Sequence, residues 1–571
     1  MSTATVDTSV SVPSNRPLLE LLLDEQQQTT AVERFAQRHE SQSEPLLAGR
    51  YRDLIPLSKP QPGEQYAFEV DLDSCSGCKS CVAACHSQNG LEEGELWRSV
   101  GLLHGGTDAQ PFLQHVTTAC HHCIDPACLT GCPVMAYDKD PETGIVRHLD
   151  DQCIGCQYCV FMCPYDVPKY SPSKGIVRKC DMCQDRLAVG EAPACVQSCP
   201  NEAIRIRTVN KDSIAEQSES NQFLPTAPEP GITLPTTVYK SSRPLPRNLL
   251  PADYFAANRQ HSHLALVFML VLTQLSVGGF VVSQAMVSGP WAEPLMLMTI
   301  RPAHAIAGLV LGLIGLSAAV FHLGRPRYAF RALLGLRTSW LSREILVFGI
   351  FAAFAFLHAA AVWFAADRPG LIHWADVLGI LTAASGVAAV GCSVMIYAKT
   401  HRPFWTLHRT GGKFLLTCIV LGLPIALLAS LLACRGTNEL TAHAIMQDYG
   451  QSLCRWLLVA VAAKLLLESS IFARLRQRQF TPLKRTAVLL TGELSMTTLL
   501  RYFFGIIGGL LLPLLLLSER SLDTAPEPYH PLFLVFIVTL IACLLLVGEL
   551  VERYLFFAAS VSPKMPGAPG T

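Results

Sequence analysis

The stretch CIGCQYCVFMCP places four cysteines at 153, 156, 159 and 163, the last followed at once by Pro164. Few sequence features constrain a backbone more, because thiols this close must share a tight loop. Three more groups of four lie nearby. CSGCKSCVAAC holds Cys75, Cys78, Cys81 and Cys85; CHHCIDPACLTGCP holds Cys120, Cys123, Cys128 and Cys132; CDMCQDRLAVGEAPACVQSCP holds Cys180, Cys183, Cys195 and Cys199. A disulfide framework suits small secreted domains, and no secretory signal is read near the N-terminus. The first basic residue is Arg16, and the apolar run at 18–23 is short and carries Glu20. Reduced, metal-binding thiols are therefore expected.

A structural zinc site takes two CxxC-like pairs and closes with four ligands. The opening stretch instead follows C-x2-C-x2-C-x3-C-P, the bacterial ferredoxin run. Three thiolates on a tight loop cap three irons of a cubane, while the fourth, opening a helix, points to a neighbouring site. Sixteen of the 21 cysteines lie between 75 and 199, enough for four [4Fe–4S] clusters with none left over. Every third-position ligand is Cys, which argues against a three-iron centre. Gly77, Gly131 and Gly155 allow the close backbone approach a cluster requires.

The order and spacing of the four groups resemble the four-cluster electron-transfer subunit of the dimethyl-sulfoxide reductase type of molybdoenzyme complexes. CIGCQYCVFMCPYDVPKY and KCDMCQDRL…PACVQSCP carry the resemblance, which spans about 66–207. It implies two ferredoxin modules, one nested in the other, and a pairing of ligands. Cys75, Cys78 and Cys81 would share a cluster with Cys199; Cys180, Cys183 and Cys195 with Cys85; Cys120, Cys123 and Cys128 with Cys163; Cys153, Cys156 and Cys159 with Cys132.

Downstream the composition changes. Eight apolar stretches between 263 and 556 are long enough to cross a bilayer, which takes about 20 residues each. Segments 323–343, 399–413 and 472–485 carry five, four and five Arg or Lys and no acid, whereas the intervening loops carry one basic residue each. The positive-inside rule then puts the basic loops, both termini and the cysteine domain on the cytoplasmic side of the inner membrane. Net charge is zero, so nothing points to nucleic acid. The expected architecture is multidomain: an N-terminal extension at 1–63, partly disordered, with an amphipathic helix at 17–39; a small α+β double ferredoxin-like iron–sulfur domain at 64–210; a Pro-rich, extended linker at 211–258; an all-α eight-helix transmembrane bundle at 259–558; and a disordered tail at 559–571.

A mid-membrane charge costs about 2.5–3.5 kcal/mol on insertion scales, so ionisable residues there attract a functional reading. His322 and Glu344 sit in FHLGRPRYAFRALLGLRTSWLSREI, at the basic edge where the cysteine domain should dock. This stretch and GELVERYLFF at 548–557 resemble the eight-helix membrane anchor of the same reductases. The resemblance implies menaquinol as substrate, with His322 and Glu344 as proton acceptors beside the nearest cluster. The arginines around them (Arg325, Arg327, Arg331, Arg337, Arg343) read as an orientation signal and docking face. Lys464 and Glu468, one turn apart, are expected to neutralise one another. Glu493, Arg501, Glu549 and Glu552 read as interfacial. His304 and His358 raise bis-histidine haem, but none is expected. A proton- or ion-translocating protein would need a continuous row of intramembrane charges, and only Lys464 and Glu468 lie deep in one helix.

The expectation is thus a fusion of two subunits usually made separately: a membrane-anchored electron-transfer chain that oxidises menaquinol from the lipid-borne quinone pool and relays electrons through four clusters. Its partner would be a separate molybdopterin catalytic subunit, where the terminal chemistry occurs. The alternative is the same architecture run in reverse, from a soluble dehydrogenase to quinone.

Overall fold

A computed structural model describes residues 48–289, 294–434, 442–518 and 531–567, together with a few isolated positions between 17 and 37. The amphipathic helix expected at 17–39 and most of the N-terminal extension fall outside them.

The cysteine domain hangs on short strands. β1 (Glu64–Asp71) pairs antiparallel with β8 (Ile204–Asn210), closing the first cysteine group onto the last. β2 (Ser99–Thr107) and β3 (Gln110–Thr118) form a hairpin. β4 (Tyr137–Lys139) with β5 (Val146–His148), and β6 (Lys169–Ser171) with β7 (Ile176–Arg178), form two smaller ones. Between them run helical turns of four to nine residues that start at or beside cysteines: Ser80–Gln88, Ala127–Gly131, Tyr158–Met162, Gln184–Ala188 and Ala194–Gln197. The result is the small α+β, ferredoxin-like unit expected.

The Pro-rich stretch does not behave as a free tether. Lys211–Glu219 is a helix capped by the Asn210 side chain, which accepts from the amides of Asp212 and Ser213. β9 (Val238–Lys240) then adds to β1 in parallel, and β10 (Leu250–Pro251) adds to β2. Prolines removed the apolar periodicity that would have announced these pieces, but buried Thr233, Thr236 and Thr237 anchor them by single contacts. Thr236 and Thr237 bond the His121 carbonyl and ring at 2.7 and 2.8 Å.

The tail is also ordered as far as 567. The amide of Leu102 donates to the Gly567 carbonyl, Lys564 pairs with Asp253 at 2.5 Å, and Met565 is buried in the core of the cysteine domain. Burying Met565 contributes about 1.5–3 kcal/mol. The half-exposed Lys564 adds under about 1 kcal/mol. A disordered tail was expected because one methionine and one lysine leave no pattern.

Among the described residues eight helices are long and apolar enough to cross a membrane: Leu264–Ser288, Met298–Val320, Trp340–Phe364, Leu371–Ala398, Leu407–Cys434, Met446–Arg476, Ser495–Ser518 and Pro531–Ala558, called here helices one to eight. Helices one and five cross at glycines. A Cβ on Gly278 would lie 1.8 Å from the Cys418 carbonyl oxygen, and one on Gly422 would lie 2.4 Å from Gly278. Small residues at such crossings let backbones touch where hydrophobic burial gives no drive.

Candidate functional site: four cysteine cages against a membrane docking face

The structure gathers the sixteen cysteines from separate motifs. Cys75, Cys78, Cys81 and Cys199 line one cavity; Cys120, Cys123, Cys128 and Cys163 line another. Cys85 lies within electrostatic reach of Cys183 and Cys195, and Cys180 of Cys85 and Cys183. Cys156 and Cys159 are likewise within reach of Cys132 and Cys153. The cavities thus gather two of the sets that the resemblance implied, and the other eight cysteines lie within reach of members of their implied sets, Cys180 also of Cys120. The sixteen clustered cysteines form no disulfide among the described residues. Among the described residues no three His, Cys, Asp or Glu side chains converge tightly enough for one metal ion. In the two cavities four sulfurs ring a void, which suits a polynuclear cluster better than a zinc ion.

Local backbone explains why the loops can wrap. Gly77, Gly155, Lys79, His122, Gln157, Met182 and Cys183 all have positive φ, turning amides towards sulfur. The amides of Ala136, Gly155, Met182 and Ala203 donate to the sulfurs of Cys132, Cys153, Cys180 and Cys199 at 3.2–3.4 Å. Burial pushes the Cys85 and Cys163 thiols up to about 12. Buried thiolates gathered in one cage need compensating positive charge, which a bound metal cluster would supply.

Two buried cations that sequence reasoning passed over stand between the cages. Arg98 lies within electrostatic reach of Cys81 and of Cys85, Cys180 and Cys195. It is 2 % exposed and donates to Thr117 at 3.2 Å, while its other terminal nitrogen is buried without a hydrogen-bond partner among the described residues. Lys179, within reach of Cys120, Cys128 and Cys180, donates to the Cys180 carbonyl at 2.8 Å. An orphaned guanidinium nitrogen beside two cages fits a bound, sulfur-rich anionic group. Both residues sit in charged stretches with no distinguishing spacing.

The cage of Cys132, Cys153, Cys156 and Cys159 faces the membrane. The loop between helices two and three grips it: the Arg325 amide donates to the Ile154 carbonyl at 3.0 Å, and the Gly335 amide to Pro133 at 2.8 Å. The Ser339 hydroxyl donates to the Gly131 carbonyl at 2.7 Å. Arg325 and Arg331 donate to the carbonyls of Asp150 and Asp151, both at 2.8 Å. Gly155, Gly175 and Gly324 pack so tightly that a Cβ on Gly324 would lie 2.1 Å from the Gly175 carbonyl oxygen. The basic loop is thus a docking face.

His322 and Glu344 flank this contact without touching each other. Glu344 is buried and accepts from the Ser393 hydroxyl. Tyr158, between Cys156 and Cys159, reaches across to donate to the Ile396 carbonyl at 3.0 Å and lies within electrostatic reach of Glu344. His322 is half-buried, bonds the Ala319 carbonyl, and lies near His263, whose ring packs 6.1 Å from Phe161. Tyr158 was legible only as a residue between two clustered cysteines, and Ser393 carried no signal.

Other readings are corrected. Lys464 and Glu468 do not neutralise each other: Lys464 pairs with Glu549, and Arg501 forks Glu468 at 2.9 and 2.8 Å. Residues one turn apart on a crowded helix face different neighbours. Arg501, Glu549 and Glu552 are buried rather than interfacial, whereas Glu493 is half-exposed and pairs with Arg259. His304 bonds Ser430 at 2.8 Å and His358 the Ala375 carbonyl at 2.9 Å.

Comparison with known proteins divides the chain the same way. Residues 258–558 match the DMSO reductase anchor subunit (DmsC) family, and 112–209 match the 4Fe-4S dicluster domain family. The B subunit of the anaerobic dimethyl sulfoxide reductase of Escherichia coli K12 is 36 % identical over 191 residues, 32 % of this chain and 92 % of that one. Its Haemophilus influenzae counterpart is 34 % identical over 189 residues, 32 % and 91 %. The formate dehydrogenase-O iron-sulfur subunit of E. coli K12 is 34 % identical over 162 residues, 25 % of this chain and 54 % of that one.

Proposed function

The chain belongs to the DMSO reductase anchor subunit (DmsC) family, joined to an iron–sulfur part similar to the B subunits of anaerobic dimethyl sulfoxide reductases, and on that premise we propose that it oxidises menaquinol and delivers the electrons to a molybdopterin catalytic subunit. The carrying observation is the docking face: one four-cysteine cage packs against the loop between helices two and three, with Tyr158 reaching from it towards Glu344. Each of the four cages would hold a [4Fe–4S] cluster through its four thiolates, with the ligand sets given above. Such clusters, once bound, supply one-electron carriers over a potential range of about −700 to +450 mV.

The residues around the membrane edge then have defined work. Glu344, held by Ser393, accepts a hydroxyl proton from quinol, and His322 accepts at the other flank. The helix and glycine contacts exclude water and keep the cage against the bundle. Fusing the two parts holds them at high effective concentration, which separate subunits must reach by affinity. The segments divide the labour as 1–63 extension, 64–210 electron wire, 211–258 strap, 259–558 anchor and 559–571 tail. The three basic loops lie on the side of the iron–sulfur domain, which supports a cytoplasmic position for that domain at the inner membrane. The likeness to a formate dehydrogenase subunit favours one second reading, electron flow from a soluble dehydrogenase to quinone.

The test is anaerobic addition of a reduced menaquinol analogue to the purified chain, followed by electron paramagnetic resonance. Cluster reduction in the parent and its loss in Glu344→Gln, with dithionite reducing both alike, supports quinol oxidation. Reduction by dithionite but never by quinol turns the assignment to the reverse direction.

A further inference from the structure

A second set of ionisable side chains lies inside the bundle, away from Glu344. Helices five to eight bury four cations, Lys413, Lys464, Arg501 and Arg553, with three carboxylates, Glu468, Glu549 and Glu552, none more than 9 % exposed. Lys464 bonds Glu549 and, at 2.5 Å, Thr417. Arg501 holds Glu468 and reaches Glu549 at 3.0 Å. Lys413 pairs with Glu552 at 3.1 Å. Arg553 donates to Gln274 of helix one at 2.9 Å and to Thr417 at 3.2 Å, and lies 3.5 Å from Glu552. This is the continuous row of charges that one pair in the sequence did not suggest.

Seven buried charges are an expensive way to join helices, since apolar packing of the same volume does as well or better. Inside membranes such rows mark proton and ion pathways. This one runs from a cavity at one end to a buried tyrosine at the other. At one end, Lys413, Glu468, Arg501, Glu552 and Tyr502 line a cavity whose rim carries Arg409, on the basic-loop side. Beyond its ion pairs, among the described residues neither Glu552 carboxylate oxygen has a hydrogen bond, nor does one Arg501 nitrogen, and the cavity has room for a few waters. At the other end stands Tyr397, 4 % exposed and one helical turn from Ser393, the donor to Glu344. Tyr397 lies within electrostatic reach of both Glu344 and Arg553.

We propose that this network is the proton exit of the quinol site, discharging on the face that carries the iron–sulfur domain. The inference rests on the quinol-oxidising reading above. Quinol gives up two electrons to the clusters and breaks two O–H bonds. Each proton passes to the Glu344 carboxylate, across the Tyr397 hydroxyl to Glu552, and from Glu552 to cavity water and solvent past Arg409. Lys413, Lys464, Arg501 and Arg553 stay charged; they hold the carboxylates in place and carry no proton themselves. Glu468 and Glu549 complete the charge balance around Glu552.

The test uses the full chain with clusters assembled, reconstituted into vesicles with the iron–sulfur domain outward and an external pH dye, and menadiol as the quinol. Expected is release of two protons per quinol to the outside, at the rate of cluster reduction. Glu552→Gln and the isosteric Tyr397→Phe should each slow both signals about tenfold or more and raise the solvent deuterium isotope effect, with Glu552→Asp recovering the rate. Infrared difference spectra on menadiol addition should show a protonated-carboxyl band that Glu552→Gln removes. Parent-like rates and isotope effects in both variants, or protons appearing inside the vesicles, overturn the proposal. If Glu552→Gln fails to assemble, Tyr397→Phe decides alone. A parent that dithionite reduces and menadiol does not would remove the quinol reading itself, and this inference with it.

Discussion

Replacing Arg98 by methionine tests the cage assignment without touching a single ligand. The side chain keeps its length and apolar contact but loses one positive charge, buried at 2 % exposure between the cage of Cys75, Cys78, Cys81 and Cys199 and that of Cys85, Cys180, Cys183 and Cys195. At roughly 7 Å and an effective dielectric of about 20, a unit charge is worth about 2.4 kcal/mol to each added electron. At about 59 mV per tenfold for a one-electron couple, that lowers both midpoint potentials by about 100 mV. The cage of Cys120, Cys123, Cys128 and Cys163 and that of Cys132, Cys153, Cys156 and Cys159 should move far less. The assay is a redox titration followed by electron paramagnetic resonance on parent and variant. Two potentials falling together, with two unmoved, is the expected result. Four unmoved potentials with all clusters assembled would refute the placement of Arg98 between cages, and a uniform shift would mean that the charge acts on the domain as a whole.

Gly324→Ala should push the docking loop off the Gly175 carbonyl, raising protease sensitivity between the two halves and slowing quinol-driven reduction while dithionite reduction persists. Glu468→Gln leaves Arg501 buried with half its carboxylate partners and should cost about 3–5 kcal/mol, read as a fall in thermal stability in detergent; replacing both residues by leucine should recover most of it. Chelating iron from the reduced protein should expose 64–210 to proteolysis while the eight-helix bundle keeps its helical circular dichroism, because the cages order loops that strands alone barely hold. Deleting 564–571 should loosen the β2 edge, where Leu102 and Asp253 lose their tail contacts, and lower the melting temperature of the iron–sulfur domain.

What could be read from the residues follows the strength of each physical constraint. Cysteine spacing is dictated by metal geometry, so the cysteine groups and the ferredoxin-like fold were legible at once. Helix length is dictated by bilayer thickness, so eight spans were legible too. The strap at 211–258 was not, because its order comes from single bonds such as Thr237 to His121 rather than from any period. The tail failed for the same reason. The buried charge row was missed because Glu549 and Glu552 lie within ten residues of the end of helix eight, where a carboxylate ordinarily reaches headgroup water. Only the packing of helices five, six and seven around them closes that route. Tyr158 and Arg98 carry nothing in their neighbours to mark them; their meaning lies in which cage the fold brings alongside.

The most direct measurement is the order in which the clusters fill. Rapid mixing of the oxidised protein with a menaquinol analogue, frozen at millisecond intervals, separates the signals, and the Arg98→Met shift identifies those of the two cages it adjoins. Quinol oxidation at the docking face predicts that the cluster held by Cys132, Cys153, Cys156 and Cys159 gains its electron first and the one held by Cys75, Cys78, Cys81 and Cys199 last. Electrons appearing first at the Cys75 cage would contradict entry from the membrane.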